Sequence, residues 1–132
     1  MTTKTQTGHT IIARQSLAAG ATIRGTLDVS GANIHGGHVT LRITTGGTGP
    51  NPEATIRVMT AHRGASMPAA GPEGTGPLDW KELFRFGSSI AANIPQRRRF
   101  TFGPEVAYIQ IEAVGGGLQP VDVEAHGTTF GV

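Results

Sequence analysis

Apolar residues recur at every second position in short runs along the chain, and clusters of turn-forming residues separate those runs. Residues 22–29 are the plainest case. Ile23, Gly25, Leu27 and Val29 fall on one side, and Thr22, Arg24, Thr26 and Asp28 fall on the other. Alternation of period two is the mark of a half-buried strand. Residues 39–45 repeat it, with Val39, Leu41 and Ile43 opposite Thr40, Arg42 and Thr44. In residues 105–114, Ala107, Ile109, Ile111 and Ala113 point inward, while Tyr108, Gln110 and Glu112 point outward. Further strands are expected at 10–17, at 54–62 with Ile56 and Val58 inward, around Phe100 and Phe102, and at Val121, Val123 and Ala125. Residues 78–86 (LDWKELFRF) read as a helical turn or a strand, with the strand preferred. Trp80, Phe84 and Phe86 then share a face and Glu82 is out of pattern.

The breaks between these runs have chemical causes. AAG at 18–20, SGANIHGG at 30–37, GGTGPNP at 46–52 and GGG at 115–117 supply residues that tolerate positive φ or cannot donate to a ladder. Residues 63–77 carry no periodic pattern, and loops of that length in a compact domain are functional or mobile. Seven to nine strands with regular turn signals predict an all-β, single-domain antiparallel β-sandwich, jelly-roll or immunoglobulin-like, with a closed barrel as the alternative. Residues 1–10, polar and threonine-rich, are expected to form a flexible N-terminal arm, and residues 11–132 the sandwich.

Composition narrows the function classes. With 132 residues the chain supports a single core. Charged residues make up 15% and aromatics 5%, against 20 glycines, which agrees with strands and turns rather than helices. Net charge is +2, too small to imply a nucleic-acid partner. There are no cysteines, so disulfides, thiolate metal sites and cysteine nucleophiles are excluded. The polar start MTTKTQTGHT is read as carrying no signal peptide, and no apolar run reaches the length of a membrane span. The expectation is a protein made in a cytoplasm, with no membrane partner.

Catalytic signatures are missing from the sequence. HGGH at 35–38 is the one close histidine pair, and His9, His62 and His126 lie on separate segments, so it reads as a polar turn rather than a zinc site. No serine occupies a G-x-S-x-G elbow. Neither GGTG nor GGG precedes a Lys-Ser/Thr pair, so both read as hairpin turns rather than phosphate loops. Glu73, Asp79 and Glu82 cluster near the long loop and read as surface solvation. No cofactor is expected, and an enzyme is the least favoured class.

The densest charge lies in QRRRFTF at 96–102. If this stretch is extended, Arg97, Arg99 and Thr101 share the outer face, while Arg98 falls in the column of Phe100 and Phe102 at the sheet's end. Single-strand binders put aromatics and basic residues on the same face. Here the two phenylalanines lie opposite Arg97 and Arg99. The arginines therefore read as a strand that discourages edge pairing, or as a protein–protein contact.

The order of strands and turns resembles a known group. VTLRITTGGTGPNPEATIRV, then DWKELFRF, VAYIQIEAVGG and VDVEAH, together resemble small β-sandwich virion proteins of tailed bacteriophages, over roughly residues 11–126. The resemblance implies a structural role in the virion, as capsid decoration or minor head protein, with a tail or baseplate subunit as the alternative. It also implies a homo-oligomer, a trimer being one arrangement, bound to the major capsid protein or other virion subunits. No catalytic residues come with it. Arg97, Arg98 and Arg99, together with Arg63 and Met67 of the long loop, are the candidate interface residues, and the arm and loop are expected to drape over neighbouring subunits. A carbohydrate-binding sandwich is a rival from another class. It would need exposed aromatics, for which Trp80 and Tyr108 are the candidates.

Overall fold

The computed structural model describes residues 5–64 and 66–131. Among them are eight strands: β1 (Thr5–Leu17), β2 (Thr22–Asp28), β3 (Ile34–Thr45), β4 (Thr55–Ala61), β5 (Lys81–Gly87), β6 (Pro95–Phe102), β7 (Tyr108–Val114) and β8 (Val121–Gly131). They form two four-stranded sheets, ordered β1-β8-β3-β6 and β2-β7-β4-β5. All neighbouring strands are antiparallel.

The pairing follows a simple rule. The first strand pairs with the eighth, the second with the seventh, the third with the sixth and the fourth with the fifth. The chain is one long hairpin wrapped into two layers, and its tip is the 62–80 segment between β4 and β5. That is the jelly-roll solution. It selects among the expected architectures, against both the immunoglobulin-like arrangement and the closed barrel.

The alternating apolar positions meet between the layers. Val39, Leu41, Ile43, Val121, Val123 and Ala125 from one sheet face Ile56, Val58, Ile109, Ile111 and Ala113 from the other, each at most 2% exposed. Burying each valine, leucine or isoleucine contributes about 1.5–3 kcal/mol relative to leaving it in water, so this row decides which face of each strand turns inward. Phe86 and Phe102 close the core near the side where β5 and β6 end the two sheets.

Several local expectations change. β1 starts at Thr5, because residues 5–10, assigned to the arm, pair along β8 from Gly131 to His126. Residues 1–4 lie outside the described residues. HGGH is not a turn: His35–His38 belong to β3. A Cβ at Gly37 would stand 2.0 Å from the Thr128 carbonyl oxygen and 3.0 Å from the Phe102 ring, so the strand tolerates no side chain there. GGTG and GGG are not hairpin turns either. Each carries the chain from one sheet to the other, β3 to β4 and β7 to β8. The GGG crossover is pinned by Gly117 N–H to the Pro52 carbonyl at 2.9 Å and Asn51 N–H to the Gly117 carbonyl at 2.9 Å.

The Trp80 segment is a strand from Lys81 onward, but Trp80 does not share a face with Phe84 and Phe86. Val58 pairs with Phe84, whereas the next residue, Met59, pairs with Glu82, so Leu83 is an inserted bulge residue. The bulge reverses the side on which the preceding residues fall. Phe84 packs on the core between the sheets, and Trp80 joins a separate cluster with Met59, Ala61, Ala107 and Tyr108. This also accounts for Glu82 standing out of pattern.

Replacing Gly37 with Ala is expected to cost about 1–3 kcal/mol through overpacking against backbone. Chemical denaturation of the Gly37→Ala protein checks this, with Gly47→Ala as the control, since a Cβ at Gly47 meets nothing within 4 Å.

Candidate functional site

Tyr108, Gln110 and Glu112 point away from the inter-sheet core, as their alternation requires, yet they are only 4%, 0% and 4% exposed. The 62–80 segment covers them. Gly71 N–H donates to Gln110 Oε1 at 2.9 Å, and Gln110 Nε2 donates to the Gly71 carbonyl at 2.7 Å. The indole N–H of Trp80 donates to the Ala69 carbonyl at 2.9 Å. Beneath these bonds lies the second apolar cluster, against which Met67 packs. The long loop therefore folds onto its own sheet instead of reaching outward as a drape.

Beside this cover runs a charge network that the sequence reading did not identify. Glu112 accepts from Arg24 Nε at 2.8 Å and from Arg57 Nε at 2.6 Å. Arg57 also reaches Glu73 at 3.2 Å and Glu82 at 3.8 Å, and Glu82 lies 2.7 Å from Arg85. Glu73 and Glu82, read as solvated, in fact help fasten the loop. Burial pushes the Glu112 carboxyl up, but the hydrogen bonds and charges of Arg57 and Arg24 outweigh it and hold the group below its ordinary value. The Glu112 bond raises Arg57 in turn.

The other candidate residues have separate fates. Arg63 donates to the Ser30 carbonyl at 2.5 Å, tying the start of the loop to the β2–β3 turn. Met67 is half-buried in the second cluster. Trp80 and Tyr108, the aromatics a carbohydrate reader would need, are 2% and 4% exposed, so neither presents a stacking face. Among the described residues no group of three His, Asp or Glu side chains could hold a metal ion.

Arg97, Arg98 and Arg99 remain. They lie in the middle of β6, the outermost strand of its sheet, and all three are exposed. Arg98 projects along the open side of the sandwich rather than at the sheet's end. Its guanidinium sits 5.3 Å from the Phe86 ring centroid and donates to the Arg97 carbonyl at 2.8 Å. Phe100, on the same side, meets Phe84 edge to face at 5.6 Å between centroids. On the outer face, Arg97 is paired in register with Arg42, and Arg42 is matched to Glu124 at 3.6 Å. Arg97 and Arg99 make no ion pair among the described residues, so the row across the sheet ends in unbalanced positive charge.

No protein-family model matches the sequence, and no curated protein does. Solved structures do share the architecture. A chain of the infectious bursal disease virus Gx strain is similar with a TM-score of 0.51 at 9% identity, over 96% of this chain and 32% of that one. Dimeric latent PorU from Porphyromonas gingivalis is similar with a TM-score of 0.52 at 11% identity, over 97% of this chain and 13% of PorU. The SPBc2 prophage-derived protein YomS is 17% identical with a TM-score of 0.48, over 98% of this chain and 96% of YomS. This chain thus spans about a third of the viral chain and a smaller part of PorU. At these identities the likeness is one of fold.

Two predictions test the cover. Gln110→Leu leaves both main-chain groups of Gly71 unpaired and is expected to cost about 1–3 kcal/mol locally, raising proteolytic cleavage within 62–80 roughly ten- to hundredfold. Limited proteolysis mapped by mass spectrometry reads this directly. The second prediction concerns pH. A carboxyl held low in the folded state stabilises the fold above its unfolded pKa, and that stability disappears as pH falls through the folded value. Urea midpoints are therefore expected to drop below about pH 4.5. Glu112→Gln is expected to be less stable at neutral pH by about 2 kcal/mol and to show a shallower acid decline.

Proposed function

We propose that the chain is a non-enzymatic structural protein of a bacteriophage virion, a capsid decoration or minor head protein that stabilises the shell through subunit contacts. The observation that carries this reading is the distribution of satisfied and unsatisfied groups on the jelly roll. The outward side of β7 is covered by the chain's own loop, while a straight edge strand of the other sheet holds three arginines with no acidic partner. That arrangement suits lateral contact with another polypeptide better than chemistry on a small molecule, since arginine is enriched at protein interfaces.

The shared fold supports the reading without selecting it. Jelly rolls serve in viral capsids and in lectins, and the same architecture occurs in both the bursal disease virus chain and PorU. A carbohydrate-binding role is the rival from another class, and the burial of Trp80 and Tyr108 counts against its usual stacking mode. Contact area for a symmetric homo-oligomer is available at the end of the sandwich bearing the β3–β4, β5–β6 and β7–β8 crossovers. Ile90 and Leu118 stand there 62% and 80% exposed, and a Cβ at Gly49 would meet the Ile90 carbonyl at the junction of two of those loops. Cementing would then act by burying such surface across capsomer junctions and opposing internal pressure. A tail or baseplate location uses the same contacts.

Purified virions from the strain that encodes the chain decide the matter. The protein is expected to co-sediment with the particles and to be labelled by immunogold on the shell. Finding it only in the soluble fraction overturns the reading. Arg97→Ala/Arg99→Ala is expected to keep the folded circular-dichroism spectrum while reducing particle association. Wild-type association is expected to weaken as salt is raised.

A further inference from the structure

Edge strands expose a row of unpaired main-chain donors and acceptors, and proteins blunt them with bulges, internal proline, covering loops or charge. β6 uses charge, and one of its arginines, Arg98, also donates to the Arg97 carbonyl and must release it for a strand to add there. It pairs with β3 without a register shift over all eight positions, from Phe102 with Gly37 to Pro95 with Thr44, so its free side is straight. Its single proline stands at the first position. Of the other outer strands, β1 and β5 carry register shifts, while β2 pairs with β7 without one but has its single arginine, Arg24, bound by Glu112.

Protection by charge is selective in a way that a bulge is not. Two copies of β6 laid edge to edge would bring arginines against arginines, which is destabilising for directly opposed like charges. A strand with carboxylates at the facing positions would meet the opposite condition. Arg97 and Arg99 stand two residues apart on the outer face, about 6.6–6.8 Å along the strand. Arg98, between them, and Phe100, just beyond Arg99, face the open side lined by Phe84 and Phe86. The residue types that fit are therefore acidic, apolar, acidic in alternation.

From this we infer that β6 is a docking edge for an extended acidic segment of another polypeptide, which adds to the β1-β8-β3-β6 sheet as a fifth strand. Main-chain bonds along 96–102 supply the pairing, and carboxylates over Arg97 and Arg99 select the partner. The inference deepens the virion reading and rests on it only for where the partner comes from. The added strand completes the outer-face row Glu124, Arg42, Arg97 with a negative charge at its end. It also leaves Arg98 on Phe86 as a cover for the new strand's inward side chain.

The test titrates the isotope-labelled full chain with a synthetic peptide of alternating Glu and Val. Two controls accompany it: the same peptide with N-methylated main-chain amides, and a Lys–Val peptide. Expected are saturable shifts concentrated in the amides of residues 96–102, together with slowed hydrogen exchange there. Affinity is expected to fall about tenfold or more for the N-methylated peptide, and likewise for the folded Arg97→Glu/Arg99→Glu protein. That protein is expected to gain binding to the Lys–Val peptide. Equal binding of the N-methylated peptide reduces the site to simple charge attraction and overturns strand addition. Absence of binding, or shifts centred elsewhere, overturns the docking edge altogether. Neither result touches the sedimentation of the protein with particles, so the two readings fail separately.

Discussion

A strand in the middle of a two-layer sandwich usually turns one face to the core and the other to water. β7 does not have that freedom, because its outward residues include a glutamine and a glutamate that are almost completely shielded. A shielded amide or carboxylate without partners costs more than most packing contacts return, so something must bond to each of them. Gly71 answers Gln110 through both of its main-chain groups, and Arg24 and Arg57 answer Glu112. The rest follows from that requirement. The 62–80 segment is held down because Gln110 needs it. Trp80 is buried because the segment brings its own apolar underside, and the bulge at Leu83 exists to turn Trp80 toward that underside.

Closing one face moves the remaining polar asymmetry to the other sheet. Most arginines are consumed internally: Arg24, Arg57 and Arg85 around Glu112, Glu73 and Glu82, Arg42 by Glu124, and Arg14 by Asp122. What is left concentrates on β6. A modest net charge of +2 therefore understates the local field, since three of the arginines without an acidic partner are consecutive on one strand. Exposed charges contribute little to stability in water, so under the docking proposal these arginines would act on selectivity and association rate.

The fold was legible because period-two alternation is a direct consequence of strand geometry. Ile23, Leu41, Ile43, Ile109 and Ile111 could be assigned to a face without any tertiary information. The layer architecture was legible for the same reason. What the pattern could not carry was anything that depends on two distant segments meeting. Gln110 reads as a solvent-facing residue until Gly71 arrives, thirty-nine residues away in sequence. HGGH reads as a turn because glycine is a turn former, whereas here it is required by the approach of Thr128 and Phe102 from neighbouring strands. A bulge shifts phase by one residue and leaves only a faint trace, and the misplaced Glu82 was that trace. The arginines stand out as a run in the sequence, but that β6 has one neighbour and not two could not be read from it.

Fold likeness alone would leave this chain undecided, since the same sandwich occurs in a virus chain and in PorU of Porphyromonas gingivalis. The choice rests on where unmet bonding capacity lies. An active site concentrates it in a concave pocket, where perturbed groups are held away from bulk water. Here the perturbed pair, Glu112 and Arg57, is fully spent on itself and on the loop above it, with each charge answered by a neighbour. Arginines without an acidic partner lie instead along the outer edge of β6, a straight strand with one neighbour whose Arg97 carbonyl is bonded to Arg98. The counterpart proposed for such an edge is an extended segment of a second chain, whose own ladder groups and carboxylates are equally incomplete until the two are joined.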